Sequence, residues 1–285
     1  MRRLQRIANL ASVCGLRNDQ QMELMVQELE FEAKTQRQLT ETIAETWHTL
    51  LLLVIVVAWF FLGNLRVQHL RQNPNFNHIA MYLRMILLEG AVVAFIAWGV
   101  HRRGGSLRAL IRGRWDSAKH VFVDIGVAAM FWIVSVVALA IFRVALSGLD
   151  PSPAAGVAKA AQSSHGTRGV ELARSLGFLA PRTRTEILVW IILCLAVGFC
   201  EEIIFRGYLQ RQFAAWTNLP LGMILSAVLF GLGHGYQGRT SQIVLGAYGL
   251  LFGILAEKRK SLRPGMMAHA WHDTVSGLVL SILRR

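Results

Sequence analysis

The sequence predicts an all-α protein that crosses a membrane several times. Of its 285 residues, 54% are hydrophobic and the mean hydropathy is +0.42, which is too apolar for an ordinary soluble domain. The apolar residues are gathered in blocks of roughly 20, the length that a helix needs to cross a bilayer. We therefore expect an integral, multi-pass bundle of about seven, at most eight, transmembrane helices that contact membrane lipids.

The predicted spans follow one another with mostly short connections. A turn is expected at 216–220, where Asn218 and Pro220 break the apolar run. Arg84 and Glu89 interrupt the second span, and we expect them to pair with other helices or to lie at the membrane interface. The spans are 47–65, 79–100, 120–142, 186–213, 219–236, 241–257 and 264–283.

Two segments lie outside the apolar blocks. The first is polar and rich in glutamate, and its apolar residues over 20–46 have mostly helical spacing, which predicts a helix against the membrane or another subunit. The second contains Pro151, Pro153 and Pro181 and is predicted to be a loop. We divide the chain into an N-terminal helical segment, N-terminal transmembrane helices, a loop and a C-terminal transmembrane domain, at 1–46, 47–144, 145–185 and 186–285.

The formal charge of +13 does not indicate a nucleic-acid partner. Most Lys and Arg residues lie between the predicted spans, and the side that holds more of them is the side of the N-terminus, which we therefore place in the cytoplasm. Cys14, Cys194 and Cys200 show no paired or metal-ligand spacing, so no disulfide framework is expected.

The fourth span carries two adjacent carboxylates, Glu201 and Glu202, followed by Arg206. On a helix, Glu202 and Arg206 are four residues apart and can form an ion pair, whereas Glu201 points about 100° away. Ionisable groups in a membrane are costly and usually functional. The pattern predicts one paired carboxylate and one that is free for chemistry.

Histidines on the following spans are predicted to meet Glu201. Glu201 and His234 are almost equally far from the turn at 216–220, each about 25 Å along its helix. His269 and Asp273 share one face of the last span because they are four residues apart, and His272 could line the same space. We therefore expect Glu201, His234 and His269 to converge in one polar cavity.

Three stretches together resemble the motifs of a known family. They are Glu201–Leu209, Phe230–His234 and His269–Asp273, and they are similar to those of the CPBP family. This family comprises the type II CAAX prenyl endopeptidases and their bacterial relatives, also called Abi proteins and associated with bacteriocin self-immunity. The resemblance covers about residues 185–283, and it implies hydrolysis of a peptide bond within the membrane.

The resemblance also implies a role for each matched residue. Glu201 would be the general base that activates water together with His234. His269 and residue 273 would stabilise the oxyanion, while Glu202 and Arg206 would form a paired scaffold that positions the base.

The cofactor stays open at this point, because the family has been described both as metalloproteases and as metal-independent enzymes. Zinc could be held by His234, His269 and Glu201 with a water in the fourth position. Asp273 stands where the family usually has Asn. An ionised Asp273 cannot donate to an oxyanion, but it could orient His269 or bind a metal.

Two functions of different classes remain. The first is an endopeptidase that acts near the cytoplasmic face on a membrane-associated or lipidated protein. The second is a membrane binding or immunity protein that sequesters a peptide without cutting it. A transporter is less well supported, because the two halves show no duplication. The complete set of Glu201, Glu202, His234 and His269 favours the endopeptidase.

Overall fold

The described part of the chain is a helical bundle, which confirms the all-α prediction. The structure is a computed structural model that describes residue 26 and residues 42–73, 75–148 and 176–283. Each predicted span overlaps helical structure, and the helices of the first and third spans continue past their predicted ends to Gln72 and Gly148. The helices are α1 (Thr46–Gln72), α2 (His78–Arg102), α3 (Leu107–Ile111), α4 (Ala118–Gly148), α5 (Arg184–Glu201), α6 (Gln210–Trp216), α7 (Leu219–Gly233), α8 (Arg239–Arg259) and α9 (Arg263–Leu283).

Several of these helices can cross a bilayer. Five helical segments of the described chain are long and apolar enough, namely α1, α2, α4, α8 and the continuous Arg184–Trp216. Large apolar side chains such as Leu87 and Phe122, each 72% exposed, lie on the outside of the bundle, where lipid can cover them. The chain is thus an integral membrane protein. The exact number of spans and the cytoplasmic N-terminus stay predictions, because α7 has only 15 residues and polar residues lower the hydropathy of α9.

The fourth span is not a continuous α-helix, which corrects the sequence analysis. Between α5 and α6, residues Glu202–Leu209 form a π-helix, and all eight of them are buried. The carbonyl of Phe205 accepts from the backbone N–H of Gln210 and also from Ser226 Oγ at 2.7 Å. Short π-helical segments often occur at functional sites. We refer to Glu202–Leu209 as the π segment.

A hydrogen-bond network ties the N-terminal helices to the π segment. The Tyr208 hydroxyl lies 2.8 Å from His48 Nδ1 and 2.8 Å from Thr49 Oγ1, while His48 Nε2 lies 3.0 Å from the Phe95 carbonyl. A carbonyl only accepts, so His48 Nε2 donates to Phe95, Nδ1 accepts from Tyr208, and Thr49 donates to Tyr208. The N-terminal helices therefore help to fix the segment that carries Glu202 and Arg206.

Close helix packing brings α9 against α5. A Cβ atom on Gly198 would lie 2.8 Å from the backbone of both Ala270 and Met266, so no larger residue fits without moving a helix. Small residues allow such close approach in membrane bundles. This contact places His269, beside Ala270, next to the end of α5 that carries Glu201.

Parts of the predicted N-terminal segment and loop lie outside the described residues. Apart from Val26, which is helical, the segment 20–46 is described only from residue 42, and α1 begins at Thr46. Of the loop predicted over 145–185, residues 149–175 lie outside the described residues. The first residues of that predicted loop belong to α4, which ends at Gly148. The division into four parts stays a prediction.

Candidate active site

A fully buried ion pair forms the centre of the candidate site. Arg206 Nη1 donates to Glu202 Oε1 at 2.9 Å, and the two side chains are each 1% exposed. Arg206 Nη2 also donates to the Gly249 carbonyl at 3.1 Å, and its guanidinium lies 4.4 Å from the ring centre of Phe230 and 5.0 Å from that of Phe252. The predicted Glu202–Arg206 contact is present, and Arg206 joins the π segment to α7 and α8.

His269 lies among three carboxylates. Its Nδ1 donates to Glu202 Oε1 at 3.0 Å, so this oxygen accepts from both Arg206 and His269. Its Nε2 lies 3.5 Å from Glu201 Oε2 and 3.6 Å from Asp273 Oδ2, which is too long for a strong hydrogen bond. The structure therefore brings Glu201, His269 and Asp273 together around one imidazole.

Glu201 is the carboxylate that the buried pair leaves free. Its Oε2 has no hydrogen-bond partner, and its side chain is 18% exposed. Helical geometry predicts this difference between the two carboxylates. In the structure, Glu201 is the last residue of α5, and the paired Glu202 is the first residue of the π segment. A carboxylate without structural hydrogen bonds is available to take a proton.

His234 ends a helix and does not lie within a longer one, which corrects the predicted span of 219–236. Helix α7 ends at Gly233, and a 3₁₀ turn follows over Gly235–Gln237. His234 Nδ1 donates to the Phe230 carbonyl at 2.8 Å, so Nε2 is left as an acceptor. The Phe230 ring lies 4.8 Å from the ring of His234 and 6.0 Å from that of His269.

The convergence predicted for Glu201, His234 and His269 is therefore only partly seen. His234 lies within electrostatic range of Glu201, but the ion-pair contact of Glu201 in the described structure is with His269. The Phe230 ring contacts the rings of both histidines.

Open space adjoins this helix end. A cavity of about 340 Å³ is lined by the C-terminal half of α1 and by the turn after His234. Arg71 Nη2 donates to the carbonyl of Tyr236 at its wall. The cavity therefore lies beside the turn that follows His234.

Two further polar residues, His272 and Glu89, do not lie where the sequence predicts them. The ring of His272 lies 5.0 Å from that of Tyr248 on α8, so it is not among the groups that contact Glu201. Glu89 was expected to pair with another helix or to lie at the interface, yet it is 4% exposed and its Oε2 has no partner. It interacts electrostatically with Glu201 and Asp273. The sequence signal for Glu89 was an acidic residue inside an apolar run, but no sequence motif linked Glu89 to the candidate site.

The proposed zinc ligands do not form a metal-binding group. Within the described ranges, no three His, Cys, Asp or Glu side chains are arranged to hold a metal ion. His269 Nδ1 is already bonded to Glu202, and His234 Nδ1 is bonded to the Phe230 carbonyl. The geometry therefore does not support the metalloprotease interpretation with His234, His269 and Glu201 as ligands.

Comparison with known proteins finds a family that this part of the chain resembles. Residues 183–275 match the family model described as type II CAAX prenyl endopeptidase Rce1-like. The matched segment contains every site residue predicted from the sequence, from Glu201 to Asp273. Neither the search of curated proteins nor that of solved structures finds a match to the chain.

Proposed function

We propose that this chain, whose residues 183–275 match the model of the type II CAAX prenyl endopeptidase Rce1-like family, is an intramembrane endopeptidase. Its substrate would be a membrane-associated or lipidated protein. The match to this family supports protease activity of the CAAX type in general. The observation that carries the proposal for this chain is the free Glu201 Oε2, which lies 3.5 Å from His269 Nε2 beside a buried ion pair.

In the proposed reaction, Glu201 is the general base. Its Oε2 takes a proton from a water molecule as the water oxygen bonds to the scissile carbonyl carbon, and the carbonyl π electrons move onto its oxygen. The Glu201 carboxyl then gives this proton to the leaving nitrogen as the C–N bond breaks. The products are one carboxyl and one amine, and Glu201 returns to its starting state.

His234 would position the attacking water. Its Nδ1 donates to the Phe230 carbonyl, so the lone pair on Nε2 can accept the hydrogen of the water that Glu201 does not take. Holding the water between two acceptors directs its oxygen toward the substrate. This arrangement lowers the entropic part of the barrier.

His269 would stabilise the oxyanion. Its Nδ1–H donates to Glu202, and in the doubly protonated form its Nε2–H can donate to the developing negative charge. Glu202 is fixed in turn by Arg206, which makes Glu202 and Arg206 positioning residues. Asp273, 3.6 Å from His269 Nε2, would restrain the same ring.

Replacing Asp273 with Asn is expected to retain or raise activity. The amide keeps the shape of the side chain and adds an N–H that can donate to the oxyanion, whereas an ionised carboxylate only accepts. Initial cleavage rates and bound zinc in purified wild type and Asp273→Asn would test this. Stoichiometric zinc, chelator-sensitive cleavage and a large loss in Asp273→Asn would together show that the metal-independent scheme is wrong.

The proposed activity itself can be tested without knowing the substrate. Mass spectrometry of protein termini would compare membranes that contain wild-type protein with membranes that contain Glu201→Gln. We expect new termini that only the wild type produces. Equal amounts of folded protein, checked by gel filtration in detergent, make the comparison valid. Peptides retained by a folded wild type that produces no new termini would instead support the binding or immunity function.

A further inference from the structure

Glu89 is a buried acid that the proposed reaction does not use. It lies in the apolar helix α2, is 4% exposed, and has no hydrogen-bond partner at Oε2. Burying such a group without a partner costs free energy, and within membranes acidic residues usually pair or serve a function. Glu89 Oε2 is therefore free to accept a hydrogen bond from a group outside the described chain.

Helix packing places Glu89 level with the candidate site. Near one end of α2, the ring of Tyr82 packs against that of Trp190 on α5, with ring centres 5.3 Å apart. Near the other end, His48 joins the Phe95 carbonyl to the Tyr208 hydroxyl of the π segment. The order of these contacts shows that α2 runs parallel to α5. On α2, Glu89 lies between the two contact residues Tyr82 and Phe95. On the fourth span, Glu201 lies between the corresponding residues Trp190 and Tyr208.

The site contains more acidic than basic groups. Glu89 interacts with both Glu201 and Asp273, while the nearby guanidinium of Arg206 is bonded to Glu202. His269 is the remaining group that can balance several carboxylates, together with His234, which acts on Glu201. The two carboxylates with the most access to solvent are Asp273 and Glu201, whose side chains are 29% and 18% exposed. A ligand that enters the site therefore meets these two carboxylates first.

We propose that the site takes a basic side chain of the substrate, Lys or Arg, close to the scissile bond, and that Glu89 is a specificity-determining residue for it. This inference rests on the proposed endopeptidase function. The ammonium or guanidinium group enters past Asp273 and supplies a counter-charge for Glu89, whose Oε2 has no hydrogen-bond partner. A charge-assisted contact of this kind is stronger than one between neutral groups.

The test compares cleavage sites made by wild type, Glu89→Gln and Glu89→Asp. The measurement is the ratio of cleavages with Lys or Arg within three residues of the scissile bond to cleavages without them. We expect Glu89→Gln to lower this ratio about tenfold, the order expected for the loss of one charge-assisted contact. Glu89→Asp keeps the charge and should keep the preference. Glu186→Gln is a matched control at the start of α5, where Glu186 already accepts from the Arg182 backbone N–H.

The outcomes separate the inference from the function on which it rests. Cleavage by wild type without a basic preference, or an unchanged ratio in Glu89→Gln, would overturn the role of Glu89 while leaving the endopeptidase intact. No cleavage by folded wild type would overturn both. If Glu89→Gln does not fold, the basic residue of a cleaved substrate is changed to Gln and cut by wild type. An undiminished cleavage rate would then reject the proposal.

Discussion

Glu201→Gln is expected to lower the cleavage rate by about 10²- to 10⁴-fold, the usual contribution of a general base. The amide cannot take a proton from water, and the wild-type Oε2 has no hydrogen-bond partner that the substitution would remove. The fold should therefore be preserved. Initial rates on a substrate identified from new protein termini would measure the loss, and unfolding in detergent would check stability.

Glu202→Gln is the matched control for this result. Glu202 accepts from both Arg206 and His269, so removing its charge leaves the buried Arg206 without a counter-ion. We expect this variant to lose more stability than Glu201→Gln and less catalytic rate per folded molecule. Equal rate losses in equally folded variants would contradict the separate roles of base and scaffold.

The second large effect is expected on stability. Arg206→Met should cost about 3–5 kcal/mol of unfolding free energy, because it leaves Glu202 as an uncompensated buried charge. The variant also loses the bond to the Gly249 carbonyl and the contact with the Phe230 ring. Unfolding in detergent, followed by a probe of helix content, would measure the difference from wild type.

Arg211→Met provides the comparison for Arg206→Met. Arg211 is less buried, lies one turn further along the same helical segment, and donates to the Ala109 carbonyl at 3.3 Å. Its replacement should cost no more than about 1 kcal/mol. If Arg206→Met were as mild as Arg211→Met, the buried pair would not be the scaffold of the site.

The helices could be predicted from the sequence because the signals for them are local. The length of the apolar blocks indicated the spans, and Asn218 with Pro220 indicated the turn after α6. Most ends of the described helices agree with the predicted ends to within a few residues. The Glu202–Arg206 contact was also predictable, because two residues four apart on a helix are neighbours. It persists even though the segment is a π-helix.

The geometry of the candidate site could not be predicted from the sequence as well as the helices could. The end of α7 at Gly233 was missed because the apolar pattern continues past it, whereas the structure turns the chain at His234. The metal hypothesis counted suitable side chains, but the sequence does not show that His269 Nδ1 is bonded to Glu202 and His234 Nδ1 to the Phe230 carbonyl.

By itself, then, the sequence determined the membrane-embedded helical class, the motif residues and the pairing of Glu202 with Arg206, since hydrophobic length and helical period depend only on neighbouring residues. The tertiary structure decided the π segment, the position of His269 among three carboxylates and the approach of Glu89 to the site. These features depend on contacts between helices far apart in the chain. The close packing of α9 at Gly198 and the network from Tyr208 to α1 and α2 set them, and no local pattern encodes either.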